Sequence, residues 1–105
     1  YDAVAVHAVA RNRLGMALAT GRLLPAQHGI GRIGRLAVAR EVRGTGVGGA
    51  VLEALLAQAR QRGDAEVALH AQASAIDFYR RAGFVERGAP FEEAGIEHRE
   101  MVRTP

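Results

Sequence analysis

From Arg43 to Gly49 the chain reads Arg-Gly-Thr-Gly-Val-Gly-Gly, and the flanking residues leave this segment few ways to fold. Upstream, Ile30 to Ala39 is a mostly apolar run ending in Leu36-Ala37-Val38, which reads as a strand. Downstream, Leu52, Leu55, Leu56 and Ala59 recur at i, i+3, i+4 and i+7, the stripe of an amphipathic helix. A glycine-dense loop that runs from a strand into a helix start leaves several N–H groups unpaired at the positive end of the helix dipole. Such a loop suits a phosphate or pyrophosphate, and Arg43 adds a fork of donors at its rim. The plainer reading is a turn that merely needs glycine.

The remaining segments set the fold class. Ala3 to Ala10 is a Val-rich run closed by Arg11-Asn12-Arg13, and Gly15 to Leu24 is a second run, with Thr20-Gly21 as a candidate bulge. The two predict an antiparallel hairpin, with a turn at Pro25 to Gly29 before the third strand. The apolar end of that third strand predicts burial on both faces. Arg60 and Arg62 suit the C-terminal end of the helix, and Gly63 its left-handed cap. Glu66 to His70 is a fourth strand. Ser74 with Asp77 resembles a capping box opening a short helix whose Ala75, Phe78, Tyr79 and Ala82 share a face. Phe84-Val85 and His98 to Val102 predict two closing strands around a loop at Gly88-Ala89-Pro90. The order β-β-β-α-β-α-β-β predicts one α/β (α+β) domain over residues 1–105, with a mixed, mostly antiparallel sheet and flanking helices.

Composition narrows the chemistry. With 105 residues, 49% of them apolar, the chain can bury a modest core, and no apolar run approaches the roughly 20 residues of a membrane-spanning helix. The absence of Cys excludes thiol nucleophiles and thiolate metal sites, and the absence of Lys excludes a P-loop lysine and a Schiff base. His7, His28, His70 and His98 lack metal-ligand spacing, so no metal site is expected. The net charge of +3 comes from scattered arginines, and five aromatics make a poor stacking platform, so a small anionic ligand is expected and nucleic acid is not. The chain opens at Tyr1 without an initiator Met or a charged-then-apolar leader. The expectation is a fragment or an internal boundary, and a cytoplasmic location with no membrane association. Exposed strand edges are compatible with a homodimer.

Which phosphate ligand fits is decided by spacing. Gly44, Gly46 and Gly49 match GxGxxG, the dinucleotide fingerprint. About four residues separate the strand end from the first glycine, however, where the fingerprint places glycine directly at the strand end. The ribose-binding acid is also out of place, because Glu66 begins the next strand instead of ending it. A Rossmann-like NAD-binding oxidoreductase stays as the weaker alternative.

Leu36-Ala37-Val38 followed by Arg43-Gly44-Thr45-Gly46-Val47-Gly48 resembles the RxxGxG signature of the GNAT superfamily of acetyl-CoA-dependent N-acetyltransferases. Gln72, Ala75, Phe78-Tyr79 and Gly83-Phe84 resemble its NxxAxxFYxxxGF segment, with Gln in place of Asn, and RLAVAREVRGTGVG, LHAQASAIDFYRRAGF and PFEEAGIEHREM are most similar to the ElaA-like branch. The resemblance covers nearly the whole chain, although GNAT domains usually carry a further strand and one or two helices upstream.

The resemblance implies acetyl transfer from acetyl-CoA to a primary amine, on a small molecule or a peptide, by direct attack. The pantetheine arm would lie along Leu36, Ala37 and Val38, in a splay between the third strand and the strand ending at His70. The pyrophosphate would sit on Arg43, Gly44, Thr45, Gly46, Val47, Gly48 and Gly49, with Gln72 and Phe78 also on the cofactor side. A backbone N–H near Val38 would serve as oxyanion donor. Tyr79 stands at the superfamily's acidic tyrosine, and His98 at a recurrent position assigned to the acceptor site. Periodicity alone would make Tyr79 a core aromatic. The base stays open, with Glu41, Glu92, Glu93 and Glu97 the carboxylates worth naming. A degenerate, non-catalytic CoA-binding module is the other alternative.

Overall fold

Six strands form one sheet in the order β1-β2-β3-β4-β6-β5 in the computed structural model, which describes residues 6–105. They are β1 (Val6–Arg11), β2 (Ala17–Gln27), β3 (Ile30–Val38), β4 (Glu66–Gln72), β5 (Val85–Glu93) and β6 (Ile96–Arg103). Two helices, α1 (Val47–Arg62) and α2 (Ile76–Arg81), complete the expected order of elements. Ala3 to Ala5, part of the expected first strand, lie outside the described residues. All neighbouring strands pair antiparallel except β3 and β4. The Rossmann-like alternative fails on this point, since it requires a parallel sheet.

Cross-strand register separates the two faces of the sheet. One face carries Leu23, Ile33, Val67, Leu69 and Met101, and both helices cover it. Leu52, Leu55, Leu56 and Ala59 of α1 are fully buried there, as the helical stripe predicts. Burying each leucine contributes about 1.5–3 kcal/mol. Arg103, opposite Val67, reaches both helices, donating 2.7 Å to the Ala82 carbonyl just after α2 and lying 3.4 Å from Glu53 of α1. The other face carries Arg22, Arg32, Ala68, His70, Gln72, His98 and Glu100, and no described helix packs on it. Gly63 ends α1 with φ of 84°, as expected for a left-handed cap.

Several local expectations are corrected. The prolines taken as turn markers both sit within strands. Pro25 lies in β2 where the ladder slips between Leu24 and Gln27, and Pro90 lies in β5 where it slips between Arg87 and Phe91. A residue without an N–H is tolerated where a ladder is already broken. The turns are instead His28-Gly29 and Ala94-Gly95, both two-residue loops with positive φ throughout, the I′ geometry that matches strand twist. Ser74 caps nothing: a 3₁₀ turn over Ala73–Ala75 precedes α2, and neither element has a side-chain cap. The irregularity expected at Thr20-Gly21 is present, but the extra residue belongs to β3, which takes three steps from Gly34 to Ala37 while β2 takes two. That bulge reverses the alternation of β3. Leu36 and Val38 therefore turn to the helix face and pack on the core, and Ala37 is exposed, so the strand end is not buried on both sides.

Gly31 holds the closed end of the β3–β4 pair. A Cβ there would collide with the Asp64 carboxylate and stand 2.9 Å from the Arg62 guanidinium. Asp64 is nearly buried and receives Arg62 Nε at 3.0 Å, while Arg62 also donates to the Leu24 carbonyl at 3.0 Å. Gly31→Ala is therefore expected to destabilise the domain by about 2–3 kcal/mol, because it overpacks the site and displaces the nearly buried Asp64 carboxylate from Arg62. A thermal melt checks this, with a Tm drop of roughly 10 °C expected.

Candidate functional site

The sheet opens where β3 and β4 part. They pair only at Ile30 with Glu66, Gly31 with Val67 and Arg32 with Ala68. Beyond that point β3 follows β2 while β4 stays with β6 as far as Gln72 opposite His98. A cleft of about 1160 Å³ fills the gap, running from Arg32 and Leu69 at its closed end to the glycine loop and α2.

The β3 wall offers unpaired backbone groups. The Ala39 N–H donates to the Leu18 carbonyl at 2.7 Å, which makes Val38 and Ala19 a pair that exchanges no hydrogen bonds with each other. The N–H and C=O of Val38 therefore turn away from β2, toward the cleft. Among the described residues the Val38 carbonyl meets only a long bond of 3.4 Å from Arg43 Nε. By alternation the backbone groups of Ala37 face β2, and Ala37 meets the cleft through its side chain.

The loop divides its glycines by role. Gly44 and Gly46 have φ of 84° and 91°, and an added Cβ would meet nothing at either, so the backbone conformation alone demands glycine. Gly48 is buried: a Cβ there would stand 2.9 Å from Val38 Cγ2 and 3.5 Å from the Phe78 ring, so its absence lets α1 approach both. Gly46 is the N-cap of α1 and supplies no side-chain hydrogen bond. The first helical bond runs from the Ala50 N–H to the Gly46 carbonyl at 3.0 Å. Among the described residues the N–H groups of Val47, Gly48 and Gly49 have no backbone acceptor. They are the donors that an anion requires at the positive end of the helix.

Tyr79 and His98 both line this cleft. Tyr79 is buried against Phe78 and Phe84, edge-on to each at centroid distances of 5.0 and 5.9 Å. Burial pushes the phenol above its ordinary pKa, so it keeps its proton across the neutral range. His98 is buried, stacked on Phe91 at 5.9 Å, with Nδ1 2.8 Å from the Ile96 carbonyl. A carbonyl only accepts, so Nδ1 carries the proton and Nε2 of the neutral ring holds the lone pair.

Of the residues expected to contact cofactor or substrate, Leu36, Ala37, Val38, Arg43, Gly44, Gly46, Gly48, Gly49, Gln72, Phe78, Tyr79 and His98 line the cleft. Thr45 and Val47 do not. The Thr45 hydroxyl donates back to the Val42 carbonyl, and the Val47 side chain packs on the core. Glu93 also lines the cleft, whereas Glu92 and Glu97 do not, and the Glu41 side chain lies outside the described ones. A feature missed in the sequence is His70, whose Nδ1 lies 3.2 Å from Glu93 and whose Nε2 lies 3.6 Å from Glu100. Its partners come from β5 and β6, and only the register of the last hairpin would have exposed the cluster. Glu100 in turn takes a 2.6 Å bond from Arg87, which holds its carboxyl below the usual carboxylate range. Both His70 nitrogens face carboxylates, whereas Nε2 of His98 has no hydrogen-bond partner among the described residues.

A mixed sheet parted between β3 and β4, with a glycine loop and a helix start at the mouth of the opening, defines an acyl-CoA acyltransferase fold. The family model of the acetyltransferase (GNAT) domain matches residues 5–105, and the chain belongs to that family. Among solved structures it is similar to an acyl-CoA N-acyltransferase from Pseudomonas aeruginosa (39% identical, 93% of this chain and 67% of that one, TM-score 0.77). It is likewise similar to Escherichia coli ElaA (29% identical, 92% and 66%, TM-score 0.82). It is 36% identical to the uncharacterized N-acetyltransferase YjcF of Bacillus subtilis strain 168 over 78 residues, 73% of this chain and 56% of that protein. The chain spans about half the length of the curated relatives it matches. No described helix is long and apolar enough to cross a membrane.

Proposed function

We propose that this chain binds acetyl-CoA and transfers its acetyl group to a primary amine by direct attack. The observation that carries the reading is one cleft in which free helix-start N–H groups, the outward backbone groups of Val38, a buried phenol and a single-tautomer imidazole meet. These residues fit the cofactor. The N–H groups of Val47 to Gly49 with Arg43 would hold the pyrophosphate, and the main chain at Leu36 and Val38 would hold the pantetheine amides. Acetyl-CoA, when bound, supplies an activated thioester carbonyl. The Val38 N–H is a fixed donor for the negative charge that develops on the carbonyl oxygen. His98 Nε2 takes the proton that an ammonium acceptor must lose before it attacks. Tyr79 holds its proton and donates it as a hydrogen bond toward the departing sulfur.

Calorimetric titration with acetyl-CoA, with NAD as control, tests the binding half. Micromolar binding of acetyl-CoA alone is expected, and equal binding of NAD or none of acetyl-CoA would sink it. Binding without turnover on a panel of amines would make the chain a non-catalytic module. Tyr79→Phe is expected to leave acetyl-CoA affinity unchanged and to lower kcat by roughly ten- to a hundredfold. Unchanged turnover would return Tyr79 to the core.

A further inference from the structure

The two banks of the cleft differ in charge on the helix-free face. The β4–β6 bank carries His70 and His98, with Glu93 reaching in from β5, whereas the opposite bank carries Arg32 of β3. Arg22 of β2 stands behind that bank, opposite Gly34 and outside the lining itself. Arg22 makes no ion pair or side-chain hydrogen bond among the described residues, and its Nε is buried without an acceptor. Arg99 also leaves Nε unpaired, but its other nitrogens reach Glu86 at 3.3 Å and the Gly88 carbonyl at 2.9 Å. A guanidinium cannot shed its charge, and a buried donor left unpaired stabilises nothing in the free chain. Arg32 is nearly as available. It is half-exposed, and its one carboxylate neighbour among the described residues, Glu100, stands at 3.8 Å and is already bonded by Arg87. Between the two arginines Gly34 lines the cleft without a side chain, and a Cβ there would sit 3.7 Å from Arg22 Nε.

We propose that Arg22 and Arg32 form a subsite for an anionic group, carboxylate or phosphate, carried by the acceptor amine. The proposal rests on the acyl-transfer reading above. The acceptor is then dipolar, its anion on the arginine bank and its amine on the bank of Glu93 and His98. Arg32 stands level with Ala68, and His98 level with Gln72, four residues farther along β4. That separation is about 13 Å along the strand. Even allowing for the reach of an arginine side chain, the two charges of the acceptor must lie several bonds apart. An α-amino acid using its own α-amine is too short to bridge them.

Acetyl transfer is compared for 6-aminohexanoate, 5-aminopentyl phosphate and hexylamine. At least a tenfold higher kcat/KM is expected for an anionic acceptor than for hexylamine, and the better of the two identifies the anion. Arg22→Met and Arg32→Met should each bring that ratio toward one. A preference for hexylamine, or a ratio that neither substitution changes, overturns the proposal. Should none of the amines turn over, titration of the CoA-saturated protein with hexanoate and pentyl phosphate reads the subsite alone. Saturable binding lost in Arg22→Met supports the subsite, and absence of binding overturns it, while titration with acetyl-CoA reports separately on the underlying reading. Arg22→Met is expected to melt at or above the wild-type temperature. A lower melting point with binding also lost in Arg22→Lys, which keeps the charge, would make Arg22 a structural residue and overturn the subsite.

Discussion

Gly46→Asp is expected to raise the Kd for acetyl-CoA at least about a hundredfold in a calorimetric titration, while circular dichroism still reports α1. Asp is a favoured N-cap, and its carboxylate would bond the N–H groups of the first turn that are otherwise free for the pyrophosphate. It also places a negative charge beside the ligand's own. Two controls separate the contributions. Gly46→Ala adds only the cost of holding a Cβ at φ of 91°, about 1–2 kcal/mol of stability, with a much smaller loss of affinity. Gly49→Ala lies inside the helix with open space around its Cβ, so it should stabilise the fold by about 0.5–1 kcal/mol. If Gly46→Asp binds acetyl-CoA as tightly as the wild type, the loop is a turn and nothing more.

His98→Gln should lower kcat/KM for the acceptor by about a hundredfold or more, with acetyl-CoA affinity unchanged. The imidazole is suited to base work because the Ile96 carbonyl holds the proton on Nδ1, and stacking on Phe91 fixes the ring. Glutamine can keep a hydrogen bond to that carbonyl but carries no basic nitrogen. Full turnover in His98→Gln would move the base elsewhere, with Glu93 the next carboxylate on the cleft wall. Combined with Tyr79→Phe, the two substitutions assign the proton leaving the amine and the proton approaching the sulfur to opposite sides of one opening.

Sequence alone determined what local chemistry dictates. The stripe of Leu52, Leu55, Leu56 and Ala59 specified a helix and its buried face, because a period of 3.6 residues leaves no other way to bury those side chains. The run from Arg43 to Gly49 specified a glycine-rich helix start, because unpaired N–H groups and glycine backbones are properties of the segment itself. Only the tertiary structure decided matters set by register. The extra residue in β3 turned Leu36 and Val38 toward the helices and the Val38 backbone toward the cleft. The ladder slips absorbed Pro25 and Pro90 into strands that composition had ended at turns. The last hairpin brought Glu93 to His70, and the pairing of β2 with β3 set Arg22 beside Gly34. Those neighbours lie 12 to 23 positions apart along the chain, and no local periodicity encodes which strand residue faces which. Pairing between strands is a property of the assembled sheet, where a single bulge or turn resets every contact that follows.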